Sequence, residues 1–346
     1  MNRILWKRAA GILMLLLLAA FQCGCGIFSD MVADDAGADE DAYMESKGDL
    51  VVVGFSQIGS ESVWRTANTA SVQRALTKEK GYFLIYQNAR QKQENQIKTL
   101  RSFISQRVDY IVFSPVTESG WDTVLGEAKA AGIPVILMDR MVDVKDNSLY
   151  TSWVGTDTKQ EGEKAGKWLE EYLQDQDRQY DDINIAVLEG TAGSTAQIGR
   201  TQGFESIAER YDNWHILEKA DGDFTTAKGK EIMEQFLKRY PDIDVVVSQN
   251  DDMTFGALEA IQEAGFTTGA GGDIAVISFD AVHDALIMVE EGRINVDIEC
   301  NPEQGEYVET VIRLLEQGEK ADKAYIVEEQ VFTQDNVSDY IDNRTY

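Results

Sequence analysis

The sequence predicts an α/β protein of two open lobes, each a mostly parallel sheet with helices wound on both faces. Three observations carry that expectation. Short apolar runs alternate with longer stretches of helical spacing from Leu50 almost to the end. Several short runs are apolar throughout, such as Tyr110–Phe113 and Val245–Val247, and strands buried on both faces belong to parallel sheets sandwiched by helices. Finally, roughly 300 residues follow Asp49, more than one ordinary domain holds.

The first strand is expected over Leu50–Ser56. A helix over Ser62–Lys80 follows, with apolar and small residues at helical spacing and Gly81 as its stop signal. Strands at Tyr82–Gln87, Tyr110–Ser114 and Val135–Asp139 alternate with helices at Gln93–Gln106 and Trp121–Ala131. The extended segment Tyr150–Gly155 then reads as a crossover into a second series. That series has strands at Ile183–Glu189, His215–Ala220, Asp244–Ser248, Ile274–Phe279 and Ile294–Ile298. Its helices are expected at Lys159–Leu173, Ala196–Tyr211, Thr226–Arg239, Met253–Ala264 and Pro302–Leu315. No Pro- or Gly-rich linker separates the two series, so the lobes should be tightly joined. A hinged pair of such lobes suits the enclosure of a small molecule.

The N-terminus is of another kind. Arg3, Lys7 and Arg8 precede an apolar run from Ala9 to Phe21, which ends in Gln22-Cys23-Gly24-Cys25. A charged start, a short apolar region and small residues at the cut site read as a secretory signal, and the run is short of the roughly 20 residues that a membrane-spanning helix needs. The stretch resembles a bacterial lipobox. Gly24 before Cys25 fits the small residue that precedes a lipidated cysteine, whereas Gln22 before Cys23 fits badly, so Cys25 is the expected site; an ordinary signal peptide is the plainer alternative. Lipid on Cys25 would hold the protein at a membrane surface without a spanning helix. Residues 25–48 are acidic and almost without periodicity, and read as a flexible tether. Cys300 has no obvious partner, so no disulfide framework is implied.

Charge narrows the partners. Removing residues 1–24 takes away three cations and no acid, moving the net charge from −28 to −31. That balance disfavours nucleic acid and anionic membrane as binding surfaces.

In open α/β sheets ligands bind beyond the carboxyl ends of the strands. Here those ends carry Ser56 through Arg65, Asp139-Arg140, Thr191–Thr195 with Gln197 and Arg200, Gly222-Asp223-Phe224, Asn250-Asp251-Asp252, Asp280, and Glu299–Pro302. Carboxylates, carboxamides and guanidinium groups can each hold adjacent hydroxyls, and Trp64 and Phe224 offer apolar faces. The set suits a polyol. Each piece also has a plainer reading. Ser62 or Glu61 could cap the first helix and Asp252 the helix at Met253. Trp64 could be core, Asp139-Arg140 a structural ion pair, and Gly222-Asp223 a turn. Their recurrence at the same end of strand after strand favours a shared site.

Other chemistries fare poorly. There is no GxxxxGK[ST] loop, and no GxGxxG follows the first strand. The two histidines, His215 and His283, lack metal-ligand spacing, so neither metal nor cofactor is expected. No GxSxG elbow is present. A carboxylate pair such as Asp139 with Glu299 is compatible with glycoside hydrolysis, but a sugar binder needs the same groups.

VGFSQIGSESVWR at Val53–Arg65, QKQENQIKTLRSFI at Gln91–Ile104, Gly120-Trp121, Asp139-Arg140, GDFTTAKGKEIME at Gly222–Glu234 and QNDDMTFGALEAI at Gln249–Ile261 closely resemble galactofuranose-binding proteins of bacterial ABC importers. These belong to the ribose/galactose type of periplasmic binding proteins, which share a ligand-binding fold with LacI-type repressors. The likeness runs from about Asp49 to the C-terminus. It implies a type I periplasmic binding protein, two doubly wound lobes joined by three hinge strands: 49–155 plus 301–327, and 156–300 plus 328–346. Crossovers are implied near Gly155-Thr156, Glu299–Asn301 and Glu328–Gln330.

The resemblance further implies that Trp64, Arg65, Asp139 and Arg140 reach the ligand from the first lobe. Arg200, Phe224, Asn250 and Asp280 would do so from the second, with Glu299 or Asn301 at the hinge. Ser56, Ser62 and Ser194 are further candidates. The implied protein is no enzyme. It is a monomeric, lipid-anchored subunit on the outer face of the cell membrane that hands a monosaccharide to ABC permease subunits. Delivery to a chemoreceptor or sensor kinase is the alternative, and an extracellular glycosidase-like enzyme a third reading.

Overall fold

The computed structural model describes residues 50–346, so the signal, lipidation and tether expectations lie outside the described residues. Twelve strands form two six-stranded sheets. In chain order the first half has β1 (Val51–Gln57), α1 (Val63–Ala75), β2 (Tyr82–Asn88), α2 (Gln93–Gln106), β3 (Tyr110–Phe113), α3 (Asp122–Ala130), β4 (Val135–Met138) and β5 (Ser152–Gly155). The second half has α4 (Thr158–Asp175), β6 (Ile183–Glu189), α5 (Thr195–Ala208), β7 (Trp214–Asp221), α6 (Thr226–Arg239), β8 (Val245–Ser248), α7 (Asp251–Glu263), β9 (Ala275–Asp280), α8 (His283–Glu290) and β10 (Val296–Glu299). The chain closes with α9 (Gly305–Glu316), β11 (Ala324–Ile326), β12 (Val331–Phe332) and α10 (Ser338–Ile341).

The sheet orders are β11-β5-β4-β3-β1-β2 and β12-β10-β9-β8-β6-β7. Every pairing is parallel except that of β10 with β12. The chain therefore passes between sheets three times: after β5, after β10, and between β11 and β12.

The apolar strands pack helices on both faces. Tyr110 and Val112 join Val72 of α1 and Val308 of α9, while the alternate residues Ile111 and Phe113 join Leu100 of α2 and Trp121 beside α3. In the second sheet Ile185 and Val187 meet Leu169 and Phe204, and Ala186 and Leu188 meet Met233 and Met253. Alternation that points one way and then the other into apolar layers is why these strands read as unbroken hydrophobic runs.

Local details depart from expectation. The first helix ends at Ala75, because Leu76 leaves helical geometry at φ −107° and ψ 65°. The stop at Gly81 instead closes a single 3₁₀ turn, Lys78–Lys80, with Gly81 at φ 94°. The helix at Met253 starts earlier, capped by Asn250, whose side chain accepts the Met253 N–H, and not by Asp252. Strands β11 and β12 and helices α8 and α10 were not expected from the pattern.

Candidate functional site

The carboxyl ends of both sheets converge on one pocket. From the first sheet it receives Glu61, Ser62, Trp64 and Arg65 after β1, and Asp139 and Arg140 after β4. From the second it receives Ala196 and Arg200 of α5, Phe224 after β7, Asn250 after β8, Asp280 at the end of β9 and Cys300 after β10.

Helix α1 starts at the pocket because the Ser62 side chain accepts the Arg65 N–H at 3.0 Å. Ser62 thus both caps and lines. The Arg65 guanidinium donates to Glu61 Oε1 at 3.1 Å and Asp139 Oδ2 at 2.7 Å, and lies 4.6 Å from the Trp64 ring centroid. Burial alone would lower the Arg65 pKa, but Asp139 and Glu61 outweigh it and hold the value above the ordinary one. Asp139 also accepts from Ser114 Oγ at 3.0 Å. Its close partner is therefore Arg65, and the expected pairing with Arg140 is only a 4.0 Å approach. The Trp64 indole N–H donates to the Cys300 carbonyl, so this ring is both core and wall.

Arg140 is the least satisfied cation. Its Nη1 donates to the Val116 carbonyl at 2.8 Å, while its buried Nε has no partner. Burial, reinforced by the nearby Arg65 charge, lowers its pKa to about 10. Glu61 presents the complementary feature, a buried Oε2 without a partner.

On the other side Arg200 donates to Glu161 Oε2 at 2.7 Å, to Asp280 Oδ1 at 3.0 Å and to the Gln249 carbonyl. Its helix can approach α4 this closely because Gly162 has no Cβ; one would stand 2.3 Å from the Arg200 carbonyl oxygen. Glu161 and Asp280 raise the Arg200 pKa well above its ordinary value against the burial that would lower it. Burial pushes the Asp280 carboxyl up. Phe224 lies against the end of β6, where a Cβ on Gly190 would come within 1.8 Å of its ring. Asn250 also reaches back to the Phe224 carbonyl at 3.4 Å. Asp139, Asp223, Phe224, Asp280 and Ala281 all sit at positive φ, strain that clusters where side chains must be aimed.

Nine of the twelve sequence-derived residues thus meet in this pocket. Ser56, Ser194 and Glu299 do not line it. Ser56 is fully buried in β1. Ser194 caps α5, accepting the Gln197 N–H at 3.3 Å. Glu299 accepts from Arg344 at 2.6 Å, from the Tyr346 hydroxyl at 3.0 Å and from the Gln330 N–H at 2.8 Å, and so ties the end of β10 to the segment before β12 and to the C-terminal residues. Asn301 likewise turns its side chain to the Glu303 N–H. The residue of this passage that does line the pocket is Cys300; like Glu61 it belongs to the strand-end set without being singled out as a contact, and Ala196 lies outside that set.

The lining has no excess of positive charge. Arg65, Arg140 and Arg200 share the lining with Glu61, Asp139 and Asp280, and Glu161 backs Arg200 from outside it. A phosphate or carboxylate ligand would call for surplus cations, whereas a neutral polyol would not. Glu161, Cys300 and Glu329 bring possible metal-ligand atoms within 4.8 Å of one another, but the Arg200 guanidinium already occupies Glu161 and would repel a cation.

Across the mouth the lobes touch directly. Glu118 N–H donates to the Gly193 carbonyl at 3.0 Å, Met141 N–H to Thr195 Oγ1 at 2.8 Å, and Val63 N–H to Asp252 Oδ2 at 3.2 Å. Burial raises the Asp252 pKa to about 6, against the Val63 N–H bond, which lowers it. The lobes therefore stand closed over the pocket.

Residues 53–337 match a model described as a periplasmic binding protein domain. The galactofuranose-binding protein of Escherichia coli is 38% identical over 298 residues, covering 85% of this chain and 91% of that protein. A Mycobacterium smegmatis protein solved in complex with β-D-fucofuranose superposes with a TM-score of 0.81 at 42% identity, covering 86% of this chain and 95% of the other. The binding component of an arabinose ABC transporter from Shewanella, bound to α- and β-L-arabinofuranose, gives a TM-score of 0.79 at 41% identity over 85% of this chain and 95% of the other.

Proposed function

We propose that this chain, which belongs to the periplasmic binding protein family, is the extracytoplasmic sugar-binding subunit of an ABC importer. Its ligand would be a monosaccharide in furanose form, a galactofuranose-like hexose first, held between the two lobes. The observation that carries this reading is the pocket itself: charge-matched, walled by Trp64 and Phe224, and fed from both sheets. The unpartnered Glu61 Oε2 and Arg140 Nε offer one acceptor and one donor to a ligand hydroxyl.

Three relatives at 38%, 42% and 41% identity are named for, or were solved with, furanose sugars, which supports the ring form. The contacts assigned are those of Trp64, Arg65, Asp139, Arg140, Arg200, Phe224, Asn250 and Asp280, with Ser62 and Glu61 at the rim of α1. The lobes are assigned as 49–155 plus 301–327 and 156–300 plus 328–346, hinged at the three passages between sheets. Export and lipidation at Cys25 would anchor the subunit outside the cell beside its permease, as a monomer. Calorimetric titration with galactose, arabinose, fucose, ribose and fructose tests the reading, since solutions of these sugars contain furanose forms. Saturable binding at roughly micromolar affinity, about −8 kcal/mol, is expected for at least one.

A further inference from the structure

Two carboxyls behind the pocket face no solvent and do not line it. Asp251, the first residue of α7, and Asp297, in the middle of β10, are both fully buried. They accept consecutive backbone N–H groups: Ala281 N–H reaches Asp297 Oδ1 at 3.1 Å, and Val282 N–H reaches Asp251 Oδ2 at 2.8 Å. Those N–H groups belong to the turn that leaves β9. Its first two residues, Asp280 and Ala281, hold φ values of 107° and 59°.

Two successive non-glycine residues in that region are strained and persist only where their surroundings over-determine them. Glycine cannot relieve the first, because the Asp280 side chain is needed: its Oδ1 meets Arg200 at 3.0 Å inside the pocket. The strain must be held from outside, and a pair of buried acceptors does so. Asp251 is itself fixed, taking the Ser278 hydroxyl at 2.5 Å, which in turn lies 2.7 Å from Thr254 Oγ1. One polar network therefore binds β9, β10 and the start of α7, where Asn250 also faces the pocket.

We infer that Asp251 and Asp297 are positioning residues for the sugar site: they lock the Asp280–Ala281 turn in its left-handed form and so aim the Asp280 carboxyl at Arg200 and the ligand. This rests on the sugar-binding reading. Burial raises the pKa of both acids, so that the pair can keep a proton and avoid two uncompensated charges.

The test combines sugar titration with amide hydrogen exchange of Ala281 and Val282. Asp297→Ala should weaken binding of the best sugar of the panel by about tenfold or more, as expected for a lost hydrogen bond to a charged group and its consequences. It should also expose the Ala281 amide to exchange. Asp297→Asn keeps an acceptor oxygen and should retain both affinity and protection. Ala281→Gly, placed in the Asp297→Ala background, relieves the strained φ and should recover part of the affinity. In an Asp280→Ala background, Asp297→Ala should cost nothing more. Wild-type affinity and protection in Asp297→Ala would overturn the inference, as would a full additional loss in the Asp280→Ala background. Should Asp297→Ala fail to fold, Asp251→Ala, which removes the acceptor of the Val282 N–H, decides it by the same two readouts: weaker sugar binding with loss of Val282 protection supports the lock, and wild-type affinity and protection overturn it. A wild-type protein that binds no sugar would instead sink the sugar reading, while unprotected Ala281 and Val282 amides in that protein would sink the lock.

Discussion

The guanidinium of Arg140, at the end of β4, lies 5.3 Å from the ring centroid of Phe224, which follows β7 in the opposite sheet. A cation from one lobe and an aromatic face from the other thus meet at the pocket, and they can do so only when the lobes are closed. Phe224 owes its place to Gly190, where any Cβ would collide with the ring. Gly190→Ala should therefore weaken sugar binding at least as much as Phe224→Leu, which removes the cation–π contact and should cost about 0.5–2 kcal/mol. Titration calorimetry on both variants checks the order; unaltered affinity in Gly190→Ala would show that the ring is not a ligand wall.

Asp139 holds Arg65 and Ser114 and sits at positive φ. Asp139→Ala should cost about 1.5–3 kcal/mol of binding per charged hydrogen bond lost, with the fold retained. Loss of the cooperative melt at normal residual affinity would make Asp139 a structural residue only.

Stability should carry the signature of Asp297, whose pKa burial raises to about 7. Because the folded value stands above the ordinary one, the contribution is present in full below about pH 4 and is lost as the pH rises through 7. Other carboxyls act elsewhere on the scale, so the informative quantity is a difference. The melting temperature of wild type, relative to Asp297→Asn, should fall between pH 5 and pH 8. A constant difference across that range would mean that Asp297 is already ionised at pH 5.

At the N-terminus, Cys25→Ser should release the protein into the soluble fraction and abolish metabolic lipid labelling, whereas Cys23→Ser should not. Labelled, membrane-bound Cys25→Ser protein would move the lipidation site to Cys23.

Most of the fold was legible because it is periodic. The strand at Ile183–Glu189 and the helices at Gln93–Gln106 and Thr226–Arg239 lie where apolar spacing places them. Strands β11 and β12 escaped because three and two residues are too few to show a period. Their pairing is set by partners far away in the chain. The pocket was legible for a related reason: strand ends carry polar residues that a core would reject. Glu299 shows the limit. It looks like its neighbours in sequence, yet Arg344 and Tyr346 claim its carboxylate from more than forty positions away, and no local pattern announces such a contact. Asp251 and Asp297 were hidden likewise, since an acid that serves a backbone turn reads the same as one that serves a ligand.

Sugar held between closing lobes should be visible as motion. The contacts Glu118–Gly193, Met141–Thr195 and Val63–Asp252 span the mouth, and a ligand that touches both lobes binds the closed form better and shifts the population toward it. Spin labels at Lys129→Cys and Lys238→Cys lie on exposed helix positions of opposite lobes, and buried Cys300 should stay unlabelled. Measured during titration with the sugar panel, the distance between the labels should change saturably with one sugar, and the change should vanish in Asn250→Ala. Saturable sugar binding with no change in distance, at these and other label pairs, would contradict a ligand enclosed by hinged lobes and leave a site within a single lobe.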